Sequence, residues 1–332
     1  MPITRRRLLT FRVPDGGTPH RRWIRVQRTA MACRFEVTLH DEDALHVAAS
    51  REALDEATRV EALLTVFRES SELSRINREA ETEAGAGDVD AELMALLRRC
   101  AVLHVATDGA FDITSTPVSR CWGFLQRNGH VPAEADIEAA RASIGLANVT
   151  LDDTTHRVQF ERPGMALNLG AIGKGYALDR MAGALERRGV ERALLSAGGS
   201  SVRALGGGSR GWPIDLRSPQ IPRSRLARVW LSDGALGTSG AGEQFVVSDG
   251  TRYGHVIDPR TGWPARGVLS ATAITADAAD ADALSTAFLV GGPDLAAQYC
   301  DAHPGTLAVL TLDDGTECSR VFGRYPGAVL ED

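Results

Sequence analysis

The fold of this chain is decided around residues 166–199, which read ALNLGAIGKGYALDRMAGALERRGVERALLSAGG. A short apolar run ends in a cluster of glycines. Apolar residues then recur at helical spacing as far as Gly189, where a C-terminal cap is expected. A β-like run over 193–195 ends at the pair Gly198 and Gly199. Strand, glycine turn, helix, strand and second glycine turn predict a unit of βαβ size.

The glycine turn before the predicted helix contains Gly170, Gly173 and Gly175, with Lys174 between the last two. Free backbone N–H groups at a helix N-terminus, beside a lysine, suit a phosphate group. The spacing matches neither G-x-x-x-x-G-K-S/T nor G-x-G-x-x-G, and many glycine turns before helices bind nothing. Lys174 is equally compatible with a phosphate contact and with a solvated helix start, so the turn alone leaves both interpretations open.

The composition is that of an ordinary globular protein. The 332 residues are 43% hydrophobic and 24% charged, enough for one large or two modest domains. The formal net charge of -6 argues against nucleic acid or an anionic membrane as the main partner. No apolar stretch reaches the length of about 18 residues that a membrane span requires, so no integral membrane segment is expected.

The N-terminal segment is basic but has no continuous apolar region, because Arg12, Asp15 and Arg21 interrupt it. We interpret residues 1–24 as a flexible basic leader and predict a cytoplasmic protein. The five cysteines are widely spaced and form no C-x-x-C pair. That pattern is typical of reduced thiols and indicates no zinc site.

Strand and helix patterns do not alternate strictly along the chain. The patterns predict a strand at 26–40, a helix at 44–67, hairpins at 149–160 and 306–322, and helices at 279–290 and 293–302. Strands outnumber helices, which favours the α+β class over a doubly wound parallel sheet. We expect one domain over residues 25–325, with room for two subdomains, and a tail over 326–332.

Asp282 and Thr286 lie four residues apart on a predicted helix, so their oxygens point to the same side. A carboxylate and a hydroxyl at this spacing are hard-oxygen ligands that suit Mg²⁺. The alternative is structural. An Asp near a helix N-terminus interacts favourably with the helix dipole, and a Thr hydroxyl can bond back to a carbonyl.

His255 stands at a strand end, before the segment 258–262 that reads DPRTG. A neutral histidine can take a proton from a nucleophile or donate a hydrogen bond to a phosphate. It can equally be a surface residue of a turn. The segment 258–262 is itself a sound turn, because Asp258 accepts local N–H bonds, Pro259 restricts φ and Gly262 closes it.

Several segments, in one order over about residues 29–325, together resemble the ApbE-type FAD:protein FMN transferase family. They are the strand opening at Met31, SELSRIN at 71–77, GAFDIT at 109–114 with WGF at 122–124, LGAIGKGYALD at 169–179, the glycines at 198–199, TSG at 238–240, HVIDPRTG at 255–262 and ADALSTA at 281–287.

This resemblance implies mixed or antiparallel sheets with packed helices around a central FAD cleft. It implies an enzyme that binds FAD with Mg²⁺, transfers FMN to a Ser or Thr hydroxyl of an acceptor flavoprotein, and releases AMP. By the same resemblance, Asp282, Thr286 and the Ala171 carbonyl would hold Mg²⁺. His255 and Asp258 would lie beside the reacting phosphate, with His255 as general base or phosphate ligand.

The resemblance also implies further residues of the FAD site. Phe67 stands where the family often has a Tyr that stacks on the isoalloxazine ring. The other implied FAD-site residues are Met31, Asp112, Lys174, Asp179, Gly198, Gly199, Thr238 and Ser239.

The chain departs from the family pattern at four positions. Asn168 replaces an Asp, Gly173 an Ala, Ser200 an acidic residue or Asn, and Phe67 keeps a ring without the hydroxyl. The change to Asn168 either weakens metal binding through the lost charge or merely alters a structural hydrogen bond. Two other functions remain open. One is the hydrolytic variant that the resemblance also implies, an FAD pyrophosphatase that yields FMN and AMP, and the other is a non-catalytic FAD-binding protein, which the changes at Asn168, Gly173 and Ser200 favour.

Overall fold

The computed structural model describes residues 9–10, 22–82, 86–126, 128–221, 224–242, 244–315 and 319–331. Most of the leader predicted over residues 1–24 lies outside this set. The part of the leader that is described contains Leu9–Thr10, which pairs with a later strand, and the start of the strand Trp23–Ala30.

The helices and strands of the described residues are numbered in chain order. The α-helices are α1 (Val47–Leu64), α2 (Glu72–Thr82), α3 (Ala91–Ala106), α4 (Thr116–Cys121), α5 (Glu134–Arg141), α6 (Gly173–Arg187) and α7 (Ala278–Ala302). Short 3₁₀ helices span Asp41–His46 and Leu146–Asn148. The strands are β1 (Leu9–Thr10), β2 (Trp23–Ala30), β3 (Cys33–His40), β4 (Ala86–Asp88), β5 (Val149–Asp152), β6 (Arg157–Phe160), β7 (Ala193–Ala197), β8 (Ser201–Leu205), β9 (Trp212–Arg217), β10 (Arg225–Leu231), β11 (Gly234–Gly240), β12 (Phe245–Ser248), β13 (Thr251–Gly254), β14 (Val268–Thr275), β15 (Leu307–Leu312), β16 (Ser319–Gly323) and β17 (Ala328–Glu331).

Among the described residues, eight strands form an antiparallel sheet with the order β16-β15-β14-β11-β8-β7-β3-β2. Alternate residues of its strands serve opposite faces. Ala235 belongs to the main core, which the sheet shares with α1, α6 and α7, whereas Leu236 belongs to a second core. That second core lies against the four-stranded sheet β1-β9-β10-β17. The predicted α+β class is confirmed.

The βαβ unit predicted for residues 166–199 is wrong in its first strand and in its pairing. Residues 165–167 are buried but form no strand, because the side-chain amide of Asn77 binds both backbone groups of Leu167, at 2.8 and 2.9 Å. The amide thus satisfies the polar groups that a neighbouring strand would. The helix is confirmed as α6, with Gly189 after it at φ 73°. Strand β7 follows, antiparallel to both of its neighbours.

The single strand predicted over 26–40 is a hairpin of β2 and β3. Met31 and Ala32 form its turn, with φ of 50° and 55°. Two consecutive positive φ values define a turn normally built from Asn and Gly. Neither residue is typical of that turn, so the alternating pattern concealed the reversal of the chain.

The predicted hairpins and the predicted C-terminal tail have opposite outcomes. The strand pairing predicted at 149–160 and 306–322 is confirmed. The tail predicted over 326–332 is wrong, because Ala328–Glu331 pairs with β10 and packs Leu330 against the second core. A four-residue edge strand is too short for its alternation to be distinguished from a tail.

Helix α7 covers both helices predicted for the same region, at 279–290 and 293–302. Gly292 has a φ of 72° directly before Pro293, so the helical backbone is interrupted where the two predicted helices meet. The N-terminal half of α7 packs against β11 and β14 and lies next to α6. That half carries Asp282 and Thr286.

Candidate active site

A cleft of about 300 Å³ lies where the N-terminus of α6 and the first turns of α7 meet β11 and the loops that follow α3 and β13. The predicted site residues that line it are Asp112, Ala171, Lys174, Thr238, Ser239, His255, Asp282 and Thr286. The fold thus brings together residues that are widely separated in the sequence.

Asp282 is almost fully buried, with 4% of its surface exposed. Its Oδ1 accepts a hydrogen bond from Ser201 Oγ at 2.8 Å, and its Oδ2 accepts one from the Gly175 N–H at 3.1 Å. Lys174 Nζ lies 3.3 Å from Oδ1 and 3.5 Å from Oδ2. Two neutral donors therefore orient the carboxylate and one cation neutralises it, as a buried charge requires.

Thr286 lies one turn after Asp282 on the same side of α7, as predicted. Its Oγ1 is 3.1 Å from Ser239 Oγ, which is 2.9 Å from Ser285 Oγ. The hydroxyl that bonds back to a helix carbonyl belongs to Ser285, which donates to the Asp282 carbonyl at 2.8 Å. The bond back to a helix carbonyl that was considered for Thr286 is therefore made by Ser285 instead.

Two glycines allow α7 to approach its neighbours closely. A Cβ atom on Gly175 would lie 1.9 Å from the Ala278 carbonyl oxygen, and one on Gly237 would lie 2.4 Å from the Ala281 carbonyl oxygen. Helix α6 and strand β11 therefore contact the first turn of α7 backbone to backbone. This contact brings Asp282 into the cleft.

The turn before α6 does not offer the free N–H groups that its glycines suggested. The Gly173 N–H donates to the Leu169 carbonyl at 2.7 Å, and the Gly170 N–H donates to Asn168 Oδ1 at 2.8 Å. The Gly175 N–H binds the carboxylate on α7. The protein itself therefore occupies these three N–H groups, which favours the structural interpretation of the turn.

His255 lies in the wall of the cleft with its ring fixed by a backbone group. Nδ1 is 3.2 Å from the Gln244 carbonyl oxygen, and because a carbonyl only accepts, Nδ1 carries the proton. Burial lowers the pKa of His255; the bond to Gln244 opposes this effect, and the charge of Lys174 adds to it. The ring is therefore neutral near pH 7, and Nε2 has the free lone pair of a general base.

Asp258 is tied to its own turn. Its carboxylate accepts the backbone N–H of Arg260 at 2.9 Å and two guanidinium bonds at 2.8 and 2.9 Å, and its carbonyl accepts the Gly262 N–H at 2.8 Å. The bond to Asp258 raises the pKa of Arg260. The neighbouring Pro259 lines the cleft, whereas Asp258 does not. The contacts favour the structural interpretation of this Asp.

Asp112 lines the cleft, but its carboxylate organises the loop after α3. Oδ1 accepts both the N–H and the hydroxyl of Thr114, at 2.7 and 2.6 Å, and Oδ2 accepts the Leu146 N–H at 3.3 Å. His104 Nδ1 is 3.6 Å from the same Oδ2. Asp112 therefore positions the loop that forms one wall of the cleft.

Asp179 lies outside the cleft lining and instead caps α7. Its two oxygens accept the N–H groups of Ala278 and Ala279 at 2.8 and 2.9 Å. Burial raises the pKa of Asp179 to about 6. Asp179 therefore stabilises the N-terminus of α7, the helix that carries Asp282.

The remaining FAD-site predictions fall on residues outside the lining of the cleft. Met31 approaches α6, since its Cε would lie 3.2 Å from a Cβ on Gly173. Phe67 is 79% exposed. Gly198 and Gly199, with φ of 62° and 76°, form the turn between β7 and β8. Their contact with a flavin stays a prediction.

Thr238 lines the cleft and also bonds within the sheet, since its hydroxyl oxygen is 2.8 Å from Thr272 Oγ1.

The family of the chain is shown by its similarity to known proteins. The model of the ApbE family matches residues 31–311. The chain belongs to the ApbE family.

Relatives and solved structures agree with this assignment. The FAD:protein FMN transferase of Escherichia coli K12 is 31% identical over 242 residues, which cover 70% of this chain and 68% of that protein. The enzyme of the same name from Klebsiella pneumoniae is 35% identical over 230 residues, covering 69% and 71%. The ApbE protein of Thermotoga maritima superposes with a TM-score of 0.81 at 31% identity, covering 91% of this chain and 97% of that one. The flavin transferase ApbE of Vibrio cholerae has a TM-score of 0.74 at 26% identity, with the same coverage.

The donors in the cleft fit the Mg²⁺ that was expected from the sequence. Asp282, Thr286 and Ala171 line one cavity and offer a carboxylate, a hydroxyl and a carbonyl. Over the described residues, no group of three or more His, Cys, Asp or Glu side chains is placed to hold a metal. A metal here would depend on a single carboxylate, with substrate phosphates completing its shell.

Two functional contacts were missed at the level of sequence. Ser201 donates to Asp282, and the Gln244 carbonyl fixes the ring of His255. A buried Ser that opens the apolar strand β8, two positions after the paired glycines, is a signal that could have identified Ser201. A backbone carbonyl leaves no signal in a sequence.

No helix among the described residues is long and apolar enough to cross a bilayer. The cytoplasmic location expected from the sequence stays a prediction.

Proposed function

We propose that this chain is a FAD:protein FMN transferase, which transfers the FMN phosphoryl group of FAD to a Ser or Thr hydroxyl of an acceptor flavoprotein and releases AMP. The names of its relatives support FAD as donor and a protein as acceptor. The observation that carries the proposal is that His255, with Nδ1 against the Gln244 carbonyl, lines the same cleft as Asp282 and Thr286. Phosphoryl transfer requires positioning, charge neutralisation and a proton acceptor. These residues can supply positioning and the proton acceptor, and a Mg²⁺ ion held by Asp282 and Thr286 would supply the charge neutralisation.

The proton transfer follows from the orientation of His255. Nδ1–H is engaged by the Gln244 carbonyl, so Nε2 takes the proton of the acceptor hydroxyl. The hydroxyl oxygen bonds to the phosphorus of the FMN half. The bond from that phosphorus to the bridging oxygen breaks, and AMP leaves with the electron pair.

The other residues position the pyrophosphate. Mg²⁺, held by Asp282, Thr286 and the Ala171 carbonyl, would neutralise the pyrophosphate charge. Ser201 holds the carboxylate in one orientation and Ser239 orients Thr286, so the donors are arranged before substrate arrives. Such preorganisation lowers the cost of reaching the transition state.

The test mixes the chain, FAD and Mg²⁺ with a flavoprotein domain that a known active transferase modifies. Intact-mass spectrometry measures the FMN adduct, and chromatography measures AMP. We expect both products from the wild type and neither from Asp282→Ala, with Asp294→Ala, an exposed carboxylate on the same helix, as the matched control. FMN and AMP without an adduct would indicate water as the acceptor, and FAD binding without AMP would indicate a binding protein.

A further inference from the structure

Lys174 is the single lysine of the chain. Of its 37 Lys and Arg residues, all the others are arginine, including those that form ion pairs such as Arg228 with Asp215 at 2.7 Å. A chain that uses arginine at every other basic position retains lysine at the one that faces Asp282. The residue at 174 therefore needs a property that a guanidinium does not have.

The contact between Lys174 and Asp282 is loose. Its two N–O distances, 3.3 and 3.5 Å, exceed the value of about 2.8 Å that is usual for an ammonium and a carboxylate. The hydrogen bonds from Ser201 and Gly175 to the same carboxylate are shorter, at 2.8 and 3.1 Å. The carboxylate thus keeps its orientation through two neutral donors, and the ammonium contributes mainly its charge.

We propose that Lys174 is the resident counter-cation of Asp282, and that a divalent cation displaces it when it binds that carboxylate. The proposal rests on the metal site of the proposed function. A carboxylate with 4% exposure needs a positive partner in every state of the protein. Lys174 supplies that partner before the metal enters, and the metal supplies it afterwards.

The chemistry of the two basic side chains explains why this position is a lysine. An ammonium is a compact charge on a flexible stem of four carbons, so it can leave the carboxylate without breaking a fixed geometry. A guanidinium would grip both carboxylate oxygens of Asp282 at once and compete with the metal for them. Lys174 lines the cleft, so the displaced ammonium remains inside it, where an anionic substrate group can take it up.

The first test measures Mg²⁺ binding by calorimetry, without FAD, in the wild type and in Lys174→Met, Lys174→Arg and Arg187→Met. We expect Lys174→Met to bind Mg²⁺ about threefold to tenfold more tightly, because the competing charge is gone. Lys174→Arg should bind more weakly than the wild type. Arg187→Met removes one exposed charge from the other end of α6 and should have no effect. Equal or weaker binding by Lys174→Met overturns the proposal.

The second test observes the displacement in the unmodified protein. Lysine labelled with ¹⁵N at Nζ gives one side-chain signal, because the chain has one lysine. Mg²⁺ should shift this signal in the wild type but not in Asp282→Asn, whose metal-free signal should already resemble that of the metal-loaded wild type. A wild-type signal that stays unmoved at saturating Mg²⁺ overturns the proposal. Neither test measures FMN transfer, so a failed transfer assay and a failed displacement are distinguishable.

Discussion

The backbone N–H of Gly175 donates a 3.1 Å hydrogen bond to Oδ2 of Asp282, across 107 positions of sequence. This bond joins the start of α6 to the first turn of α7. It places the carboxylate at the positive end of the α6 dipole, which stabilises its charge. The same approach leaves no space for a side chain at Gly175.

Gly175→Ala should therefore destabilise the protein strongly. Its Cβ would lie 1.9 Å from the Ala278 carbonyl oxygen, so the two helices must separate, at a cost of at least about 2 kcal/mol in urea unfolding. Gly183→Ala is the matched control in the same helix, because its Cβ meets only the flexible end of Arg187, at 3.4 Å. It should add up to about 1 kcal/mol of stability. Equal unfolding midpoints for the two variants would contradict the close contact.

Gly173→Ala, which restores the residue usual in the family, should be tolerated. The new Cβ would lie 3.2 Å from Met31 Cε, the mobile end of a flexible side chain, and the cost should stay below about 1 kcal/mol. The cost should vanish in a Met31→Ala background, as a double-mutant cycle of unfolding free energies can measure. Additive effects of the two substitutions on the free energy of unfolding would mean that Met31 is not the side chain that moves to accommodate the new Cβ.

In the pH profile of kcat/KM, the acid limb should lie below pH 6.5, which is the ordinary pKa of a histidine side chain. Burial lowers the pKa of His255, so the ring stays neutral, and able to accept a proton, as the pH falls through 6.5. A pH profile of FMN transfer measures this limb. The exposed-residue control His130→Gln should leave it in place. A limb at or above 6.5 would exclude His255 as the titrating base.

Asp179→Asn should lower stability by about 1 kcal/mol at low pH, because an amide oxygen replaces only one of the two bonds that cap α7. Burial raises the folded-state pKa of Asp179 from 3.8 to about 6. Its protonated form thus contributes stability below pH 3.8 that is lost as the pH rises through about 6. The difference in Tm between wild type and variant should narrow over this range. A constant difference would refute the raised pKa.

Asn168→Asp should raise Mg²⁺ affinity about threefold to tenfold while leaving Tm unchanged. Asn168 Oδ1 accepts the Gly170 N–H at 2.8 Å, and a carboxylate oxygen can do the same. The added charge lies in the cleft that also contains Asp282. Calorimetry with Mg²⁺ tests the affinity, and Asn168→Ala, which loses the acceptor, should lower Tm. Unchanged Mg²⁺ affinity would mean that the position is purely structural.

Local patterns predicted the elements whose cause is local. The spacing of apolar residues identified α6, and Asp282 and Thr286 were correctly placed on one side of α7 because four residues make about one helical turn. The hairpin turn at Met31 and Ala32 was missed, since its positive φ values are imposed by strand pairing rather than by residue type.

The sequence by itself determined the family, the α+β class and the residue types able to act on a phosphate, because these depend on periodicity and on motifs in a fixed order. Only the tertiary structure decided what the glycines before α6 do. Their N–H groups are occupied, and Gly175 is small so that α7 can approach. Likewise, only the packed cleft shows Lys174 at the carboxylate of Asp282 and His255 protonated on Nδ1. These properties arise from contacts between distant segments, which only folding brings within hydrogen-bonding distance.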